Sequence, residues 1–302
     1  MLRASSLILA IIKLMQRLKV LYFGTPDFSA EFLKKILDDK NIPIDIAGVV
    51  TQNDKKSGRK QEIKESPVKK LAKNKSINIY HDFSYGKFDL GLIFSYGKII
   101  PKQEFEKFKF GIWVIHPSIL PKYRGASPIA NALISGDSET GVAIIQADEG
   151  VDTGDIVGQV KSLIKSDEKR DQLTLRLVDI AFVLFKNSIE TFVKSDFKIN
   201  LIKQRSNNFL VTKKLEREHG FVSIEGLRNA INKDGKKIYN LFRGLYPWPG
   251  IWTLVKIKGE DKRLKIIDMA LQNNKIQIKK VQLEGKKIVD FETLNLVYKV
   301  FI

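Results

Sequence analysis

The chain has 302 residues, 43% of them hydrophobic, which is large enough for one big or two ordinary domains and too apolar for global disorder. Its 52 Lys and Arg against 34 Asp and Glu leave a formal charge of +18, a surplus that suits a polyanionic partner or a lysine-rich solvated surface. The absence of cysteine excludes disulfides, thiolate nucleophiles and cysteine-based zinc sites, and His81, His116 and His219 lack metal-ligand spacing, so no metal is expected.

In chain order, residues 1–17 form a basic, acid-free extension, read either as a transit-like segment or as an overlong start with Met15 as the true initiator. No stretch approaches the roughly 18 apolar residues of a membrane span. No stable membrane association is therefore expected, and the protein is read as cytoplasmic, or mitochondrial or plastid if the extension is a transit peptide.

From Leu18 to about Ile164 strand-like and helical runs alternate: KVLYFG, the turn GTPDF, a helix over Ser29 to Leu37, the buried strand IDIAGVV, and a helix opened by Ser66-Pro67. DLGLIFS and GIWVIH follow, then a helix over Pro128 to Ile134, and GVAIIQADE and DIVGQVKSLI. This alternation predicts an open, mainly parallel sheet with helices on both faces. A helix over Lys169 to Lys194 closes the domain, with Leu173, Leu175, Leu177, Ile180, Val183 and Leu184 as its apolar set.

Residues 203–220 read as a polar linker. One or two short helices (Ile224 to Asn232, Ile238 to Arg243) then precede the alternating runs TLVKIK, RLKIIDM, KIQIKKV and KKIVDF, which predict a small barrel. Residues 206–302 hold 19 basic and 10 acidic residues, so half of the surplus charge sits in this third of the chain, the expected polyanion platform.

The segment from His116 to Asp155 carries the chemistry. His116 ends a hydrophobic strand, is followed by Pro117-Ser118, and is the best general acid–base candidate because imidazole titrates near neutral pH. Asp152 stands 36 positions later at what reads as the end of another strand, in DEGVDTGD, where Asp148, Glu149 and Asp155 compete with it on pattern alone. A carboxylate beside His116 would hold an imidazolium or position a proton-relaying water. The turn at YFGTPDF lacks the G-x-G-x-x-G pattern, so a dinucleotide fingerprint is not supported. The basic loop NDKKSGRKQEIKESPVKK, with Arg59 near its tip, has the charge to reach phosphates.

HPSILPKYRGASPI followed by ETGVAIIQADEGVDTGDI resembles the signature of the folate-dependent formyltransferases. FGTPDFSAEFL, SGRKQEIKESPVKKLA, DLGLIFSYGKIIP and IYNLFRGLYPWPGIW narrow the resemblance to the methionyl-tRNA formyltransferases, from about Leu18 to Met269. The resemblance implies an α/β fold: a Rossmann-like formyltransferase domain (18–202), a linker (203–220) and a smaller C-terminal OB-like β-barrel domain that binds tRNA (221–302). It implies transfer of a formyl group from 10-formyltetrahydrofolate, as co-substrate, to the amine of initiator methionyl-tRNA. A monomer is expected. By position, His116 and Asp152 match the family's catalytic pair, Ser118, Ile119, Leu120 and Pro121 match its folate-contacting loop, and Arg59 matches a basic residue of its tRNA-contacting loop.

The chain departs from the family pattern two residues before the histidine, where Val114 replaces an asparagine. An amide there would donate to the formyl oxygen as negative charge develops, and losing one such donor typically costs about 10²–10³ in rate, or ~3–4 kcal/mol. Two other readings follow. One is a catalytically weakened folate- or RNA-binding homologue, which Val114 favours. The other is a formyltransferase for a small amine such as an amino sugar nucleotide, which the basic C-terminal region disfavours.

Overall fold

The structure, a computed structural model, describes residues 17–57, 62–205 and 209–300. Most of the 1–17 extension and Arg59 therefore lie outside the described residues. The chain divides into two units, one within 1–124, 141–161 and 175–210, the other within 125–140, 162–174 and 211–302.

The first part of the chain supplies β1 (Leu18–Gly24), α1 (Asp27–Asp38), β2 (Ile44–Val50), β3 (Lys55–Ser57), β4 (Glu62–Lys64), α2 (Pro67–Asn74), β5 (Ile79–Tyr80) and β6 (Leu90–Phe94). It continues with β7 (Ile112–His116), β8 (Arg124–Gly125), α3 (Pro128–Ser135), β9 (Glu139–Gln146), β10 (Ile156–Leu163) and α4 (Arg170–Lys194). Seven strands form one sheet in the order β10-β9-β7-β6-β1-β2-β5. β1 lies parallel to both β2 and β6, β2 to β5, and β6 to β7. The chain thus winds outward from β1 on one side and resumes on the other, the topology that opens a crevice at the carboxyl ends of the strands.

The parallel part of the expected sheet is observed; its far edge is not parallel. β9 pairs antiparallel with β7, and β10 turns back beside β9, with the Gln146 N–H donating to the Asp155 carbonyl at 2.9 Å.

β1 is apolar on both faces because both are covered: every residue but Lys19 is buried. On one side Tyr22 stacks on Phe32 of α1 at 6.3 Å, and Phe185 of α4 meets Phe32 and Trp113. On the other, Leu21, Phe23, Val50, Tyr96, Phe108 and Ile112 form a second cluster. α2 begins as expected, Ser66 Oγ accepting from the Lys69 N–H at 3.0 Å with Pro67 in the first turn.

The apolar stripe of α4 needs correction. Leu173, Leu177, Val178, Ala181, Phe185 and Ile189 are buried, whereas Leu175 and Val183 are more than half exposed. Each lies two residues from a buried neighbour, about 200° around the helix, and so points outward.

The second unit contains α3 and the C-terminal elements: β11 (Val211–Thr212), α5 (Ile224–Asn232), α6 (Lys236–Leu245), β12 (Ile251–Ile257), β13 (Glu260–Gln272), β14 (Lys275–Leu283), β15 (Ile288–Asp290) and α7 (Phe291–Tyr298). The four alternating runs form an antiparallel sheet in the order β12-β13-β14-β15, consistent with an OB-like fold. Two-residue turns set its register. Lys258 and Gly259 join β12 to β13, Asn273 and Asn274 join β13 to β14, and all four have positive φ, the conformation that matches strand twist. Leu264, Ile266, Ile276, Ile278 and Val281 face a core shared with Leu227, Phe242 and Leu245, while Lys275, Lys279 and Lys280 stay exposed. The run KKIVDF is only partly strand, since α7, a helix that the sequence pattern did not announce, begins at Phe291.

α6 packs closely on α3. A Cβ at Gly244 would sit 2.8 Å from the Ala130 carbonyl oxygen, so only glycine permits this approach. Beside it, Arg243 is buried and donates to the carbonyls of Lys165 at 3.1 Å and Glu168 at 3.4 Å and to Asn240 Oδ1 at 2.7 Å.

Candidate active site

His116 is the last residue of β7, at the carboxyl edge of the parallel sheet. Pro117 follows and ends the ladder, and the chain turns back on itself. The Ser118 N–H donates to the His116 carbonyl at 2.9 Å, and Ser118 Oγ donates to the Lys122 carbonyl at 2.7 Å. This turn carries the Tyr123 carbonyl to 2.8 Å from His116 Nε2. A carbonyl only accepts, so Nε2 holds a proton and donates it. Nδ1 is then the nitrogen with a proton to gain or lose, and it faces Asp152 Oδ2 at 3.3 Å. With Nε2 committed, a proton on Nδ1 makes the ring an imidazolium paired with the carboxylate.

Asp152 is not at a strand end. β9 stops at Gln146, and Asp152 sits in the β9–β10 turn with φ +55°, a left-handed conformation unusual for a non-glycine residue. Gly154 makes the turn possible, because a Cβ there would fall 1.8 Å from the Gln146 carbonyl oxygen.

Two of the other acidic residues of the turn have different partners. Asp148 Oδ1 accepts from the Gly150 N–H at 3.1 Å and from Thr153 Oγ1 at 2.6 Å, which closes the turn. Glu149 pairs with Lys102 on the exposed surface at 2.5 Å. Asp152 alone among the four forms an ion pair with His116 among the described residues.

The loop Ser118–Pro121 begins two residues after His116, but two of its four side chains turn inward. Ser118 is fully buried, and Leu120 packs with Ala143, Ile145 and Ile156. The Leu120 N–H donates to Gln159 Oε1 at 2.8 Å. What the loop can offer a ligand is its main chain together with the half-buried side chains of Ile119 and Pro121.

Val114 shares the His116 face of β7, two residues back, and is half-buried against the Leu120, Ala143, Ile145 and Ile156 cluster. It pairs with Ile93 of β6 and Ile145 of β9, an apolar setting that provides no side-chain donor. Asn131, near the start of α3, spends its amide locally, Nδ2 donating to the Ser127 carbonyl at 2.8 Å.

Three residues that the sequence reading did not single out belong to this corner: Tyr123 and Arg124, inside the HPSILPKYRGASPI run, and Gln204. Gln204 Nε2 donates to the carbonyls of Asp152 at 3.0 Å and Gly154 at 2.7 Å, and Gln204 Oε1 accepts from Arg124 Nε and Nη2. A lone glutamine in a polar stretch carries no local signal of such a role.

Among the described residues no cluster of three or more His, Asp and Glu could hold a metal ion, and no helix is long and apolar enough to cross a membrane.

Comparison with known proteins identifies the family. Residues 16–187 match the formyl transferase family, and residues 229–278 match the formyl transferase C-terminal domain. The chain is 30% identical over 316 aligned positions to a methionyl-tRNA formyltransferase of Buchnera aphidicola, spanning 93% of this chain and 96% of that protein. It is 32% identical to a methionyl-tRNA formyltransferase of Dictyoglomus thermophilum, spanning 91% and 95%. In fold it is similar to an N-formyltransferase of Helicobacter canadensis crystallised with folinic acid and dTDP-3-aminofucose, with a TM-score of 0.61 at 20% identity over 90% of this chain and 98% of that one. The chain belongs to the formyl transferase family.

Proposed function

We propose that the protein transfers a formyl group from 10-formyltetrahydrofolate to the amine of initiator methionyl-tRNA. The observation that carries this reading is the similarity to methionyl-tRNA formyltransferases over more than nine-tenths of both chains, C-terminal domain included. The exposed lysines of β14 give that domain a charge suited to a phosphate backbone, which a small amine does not need.

The folate donor supplies the formyl carbon and a nitrogen leaving group. Ser118–Pro121 would hold it: a loop closed by the Ser118–Lys122 hydrogen bond presents main chain and an apolar edge, which suits a flat heteroaromatic ring. His116 acts through Nδ1. A proton there, stabilised by Asp152 Oδ2, is available to the oxygen that gains charge or to the leaving nitrogen, while the Tyr123 carbonyl keeps the ring from turning. Asp152, partly exposed, is also placed to orient the water that relays the proton from the attacking amine.

Val114 removes the donor expected beside His116, so the proton on Nδ1 carries more of the charge stabilisation in this chain. Single-turnover formylation of charged initiator tRNA, comparing the natural chain with Val114→Asn, tests the reading. The natural chain should formylate the tRNA, with binding that weakens steeply as salt rises, and the asparagine variant should be faster by up to about 10²-fold. Formylation of a dTDP-amino sugar without tRNA would instead favour the small-amine reading. A silent natural chain beside an active Val114→Asn would favour the weakened homologue, and equal rates would refute the account of Val114.

A further inference from the structure

Gln204 lies 52 residues beyond Asp152 in sequence, in the polar stretch after α4, yet its carboxamide makes four hydrogen bonds in the His116 corner. Nε2 donates to the Asp152 carbonyl at 3.0 Å and the Gly154 carbonyl at 2.7 Å. Oε1 accepts from Arg124 Nε at 3.1 Å and Nη2 at 2.7 Å. The amide has one possible orientation, since carbonyls only accept and a guanidinium only donates. The segment that carries it is pinned to the start of β10 by reciprocal main-chain bonds between Ile156 and Ile202 at 2.8 and 2.9 Å.

The two halves of this carboxamide reach the two supports of the imidazole. The donor half grips the turn on either side of Thr153, where Asp152 is held at φ +55°. The acceptor half grips Arg124, the residue after Tyr123, whose own φ is +62° and whose carbonyl fixes His116 Nε2. Arg124 is further held by stacking its guanidinium over the Phe209 ring at 5.1 Å. Both supports are left-handed non-glycine positions, a conformation that persists only where the surroundings impose it. We infer that Gln204 is a positioning residue: through Arg124 and the Asp152 turn it sets the approach of Asp152 Oδ2 to His116 Nδ1.

This inference rests on the roles proposed for His116 and Asp152. The discriminating variant is Gln204→Glu. It keeps an acceptor for Arg124, and even strengthens that contact, but places an oxygen against the two carbonyls in place of a donor. Steady-state formylation should show kcat lowered by about 10- to 100-fold in Gln204→Glu and Gln204→Ala, since misplacement of a reacting group by about 1 Å costs on this order. KM for donor and for tRNA should stay within about twofold, because no substrate contact is removed. The pH titration of the His116 imidazole by NMR should move in Gln204→Glu relative to the natural chain, while His81 and His219 titrate as before.

A Gln204→Glu variant with natural kcat and an unmoved His116 titration overturns the inference, and so does an effect confined to KM. His116→Asn in the same assay separates the two failures: if it retains kcat, the catalytic reading itself falls, whatever Gln204 does. Should the Gln204 variants fail to fold, Arg124→Lys loosens the same tie, because one ammonium cannot reproduce the paired Nε and Nη2 bonds. It should lower kcat with KM unchanged, and an unaltered kcat there overturns the inference as well.

Discussion

His116 and Arg243 are both nearly buried, at 4% and 5% exposure, and both donate to main-chain carbonyls. They differ in what remains. Arg243 divides its guanidinium between the Lys165 and Glu168 carbonyls and Asn240, all of them acceptors fixed in the second unit's core, and nothing it holds changes protonation. His116 commits one nitrogen to Tyr123 and keeps the other aimed at a partly exposed carboxylate in a turn. The same device, a buried nitrogen held by carbonyls, serves architecture when the group keeps one charge state and chemistry when one site is left to exchange a proton with solvent-accessible groups.

The largest effect is expected at His116. His116→Asn should lower kcat/KM by about 10²–10⁴-fold, with a thermal unfolding midpoint close to that of the natural chain. A large loss of stability instead would mean that the two corners do the same job. Arg243→Leu should show the opposite pattern. Removing the guanidinium leaves buried carbonyls and the Asn240 oxygen without donors, a cost of about 2–4 kcal/mol. Denaturant unfolding would register it, while kcat of the folded fraction should be little changed.

Ser66→Ala supplies a calibration between them, a lost helix cap worth ~1 kcal/mol without effect on turnover. The smallest effect is expected at an ion pair close to the surface. The Lys186 ammonium beside Asp39 holds that carboxyl below the usual carboxylate range. A group with a depressed folded-state pKa stabilises the fold above its unfolded pKa, and the contribution is lost as pH falls through the folded value. Lys186→Met should therefore differ from the natural chain in stability at neutral pH and converge with it in acid, as unfolding curves across that range would record.

Much of the first unit was legible because its central strands are continuous apolar runs. KVLYFG, IDIAGVV, DLGLIFS and GIWVIH read as strands within the strand–helix alternation, and the turn after GIWVIH marked His116 as the residue at the strand edge. The 36-residue separation of His116 and Asp152 pointed to a pair, but not to the turn that makes it. Reading GVAIIQADE as one strand placed the acid at a strand end. The structure instead stops the strand at Gln146 and brings Asp152 back through a left-handed residue, a conformation that apolar patterning does not encode. Gln204 was invisible for a related reason. Its partners are main-chain carbonyls 50 and 52 residues away and an arginine 80 residues away, and no local periodicity reports such bonds. In the second unit the alternating runs revealed the strands, whereas α7 is an eight-residue helix with one buried side chain, too short to impose a period.

The turn at Gly154 has a consequence for how this corner can change over generations. One position in it is immovable, since any side chain at 154 collides with the Gln146 carbonyl and would drag the Asp152 backbone with it. Its neighbour Val151 is 55% exposed and held by nothing so strict. The outward lip of the loop therefore tolerates substitution, while a side chain at 154 would alter the spacing of the acid from the imidazole.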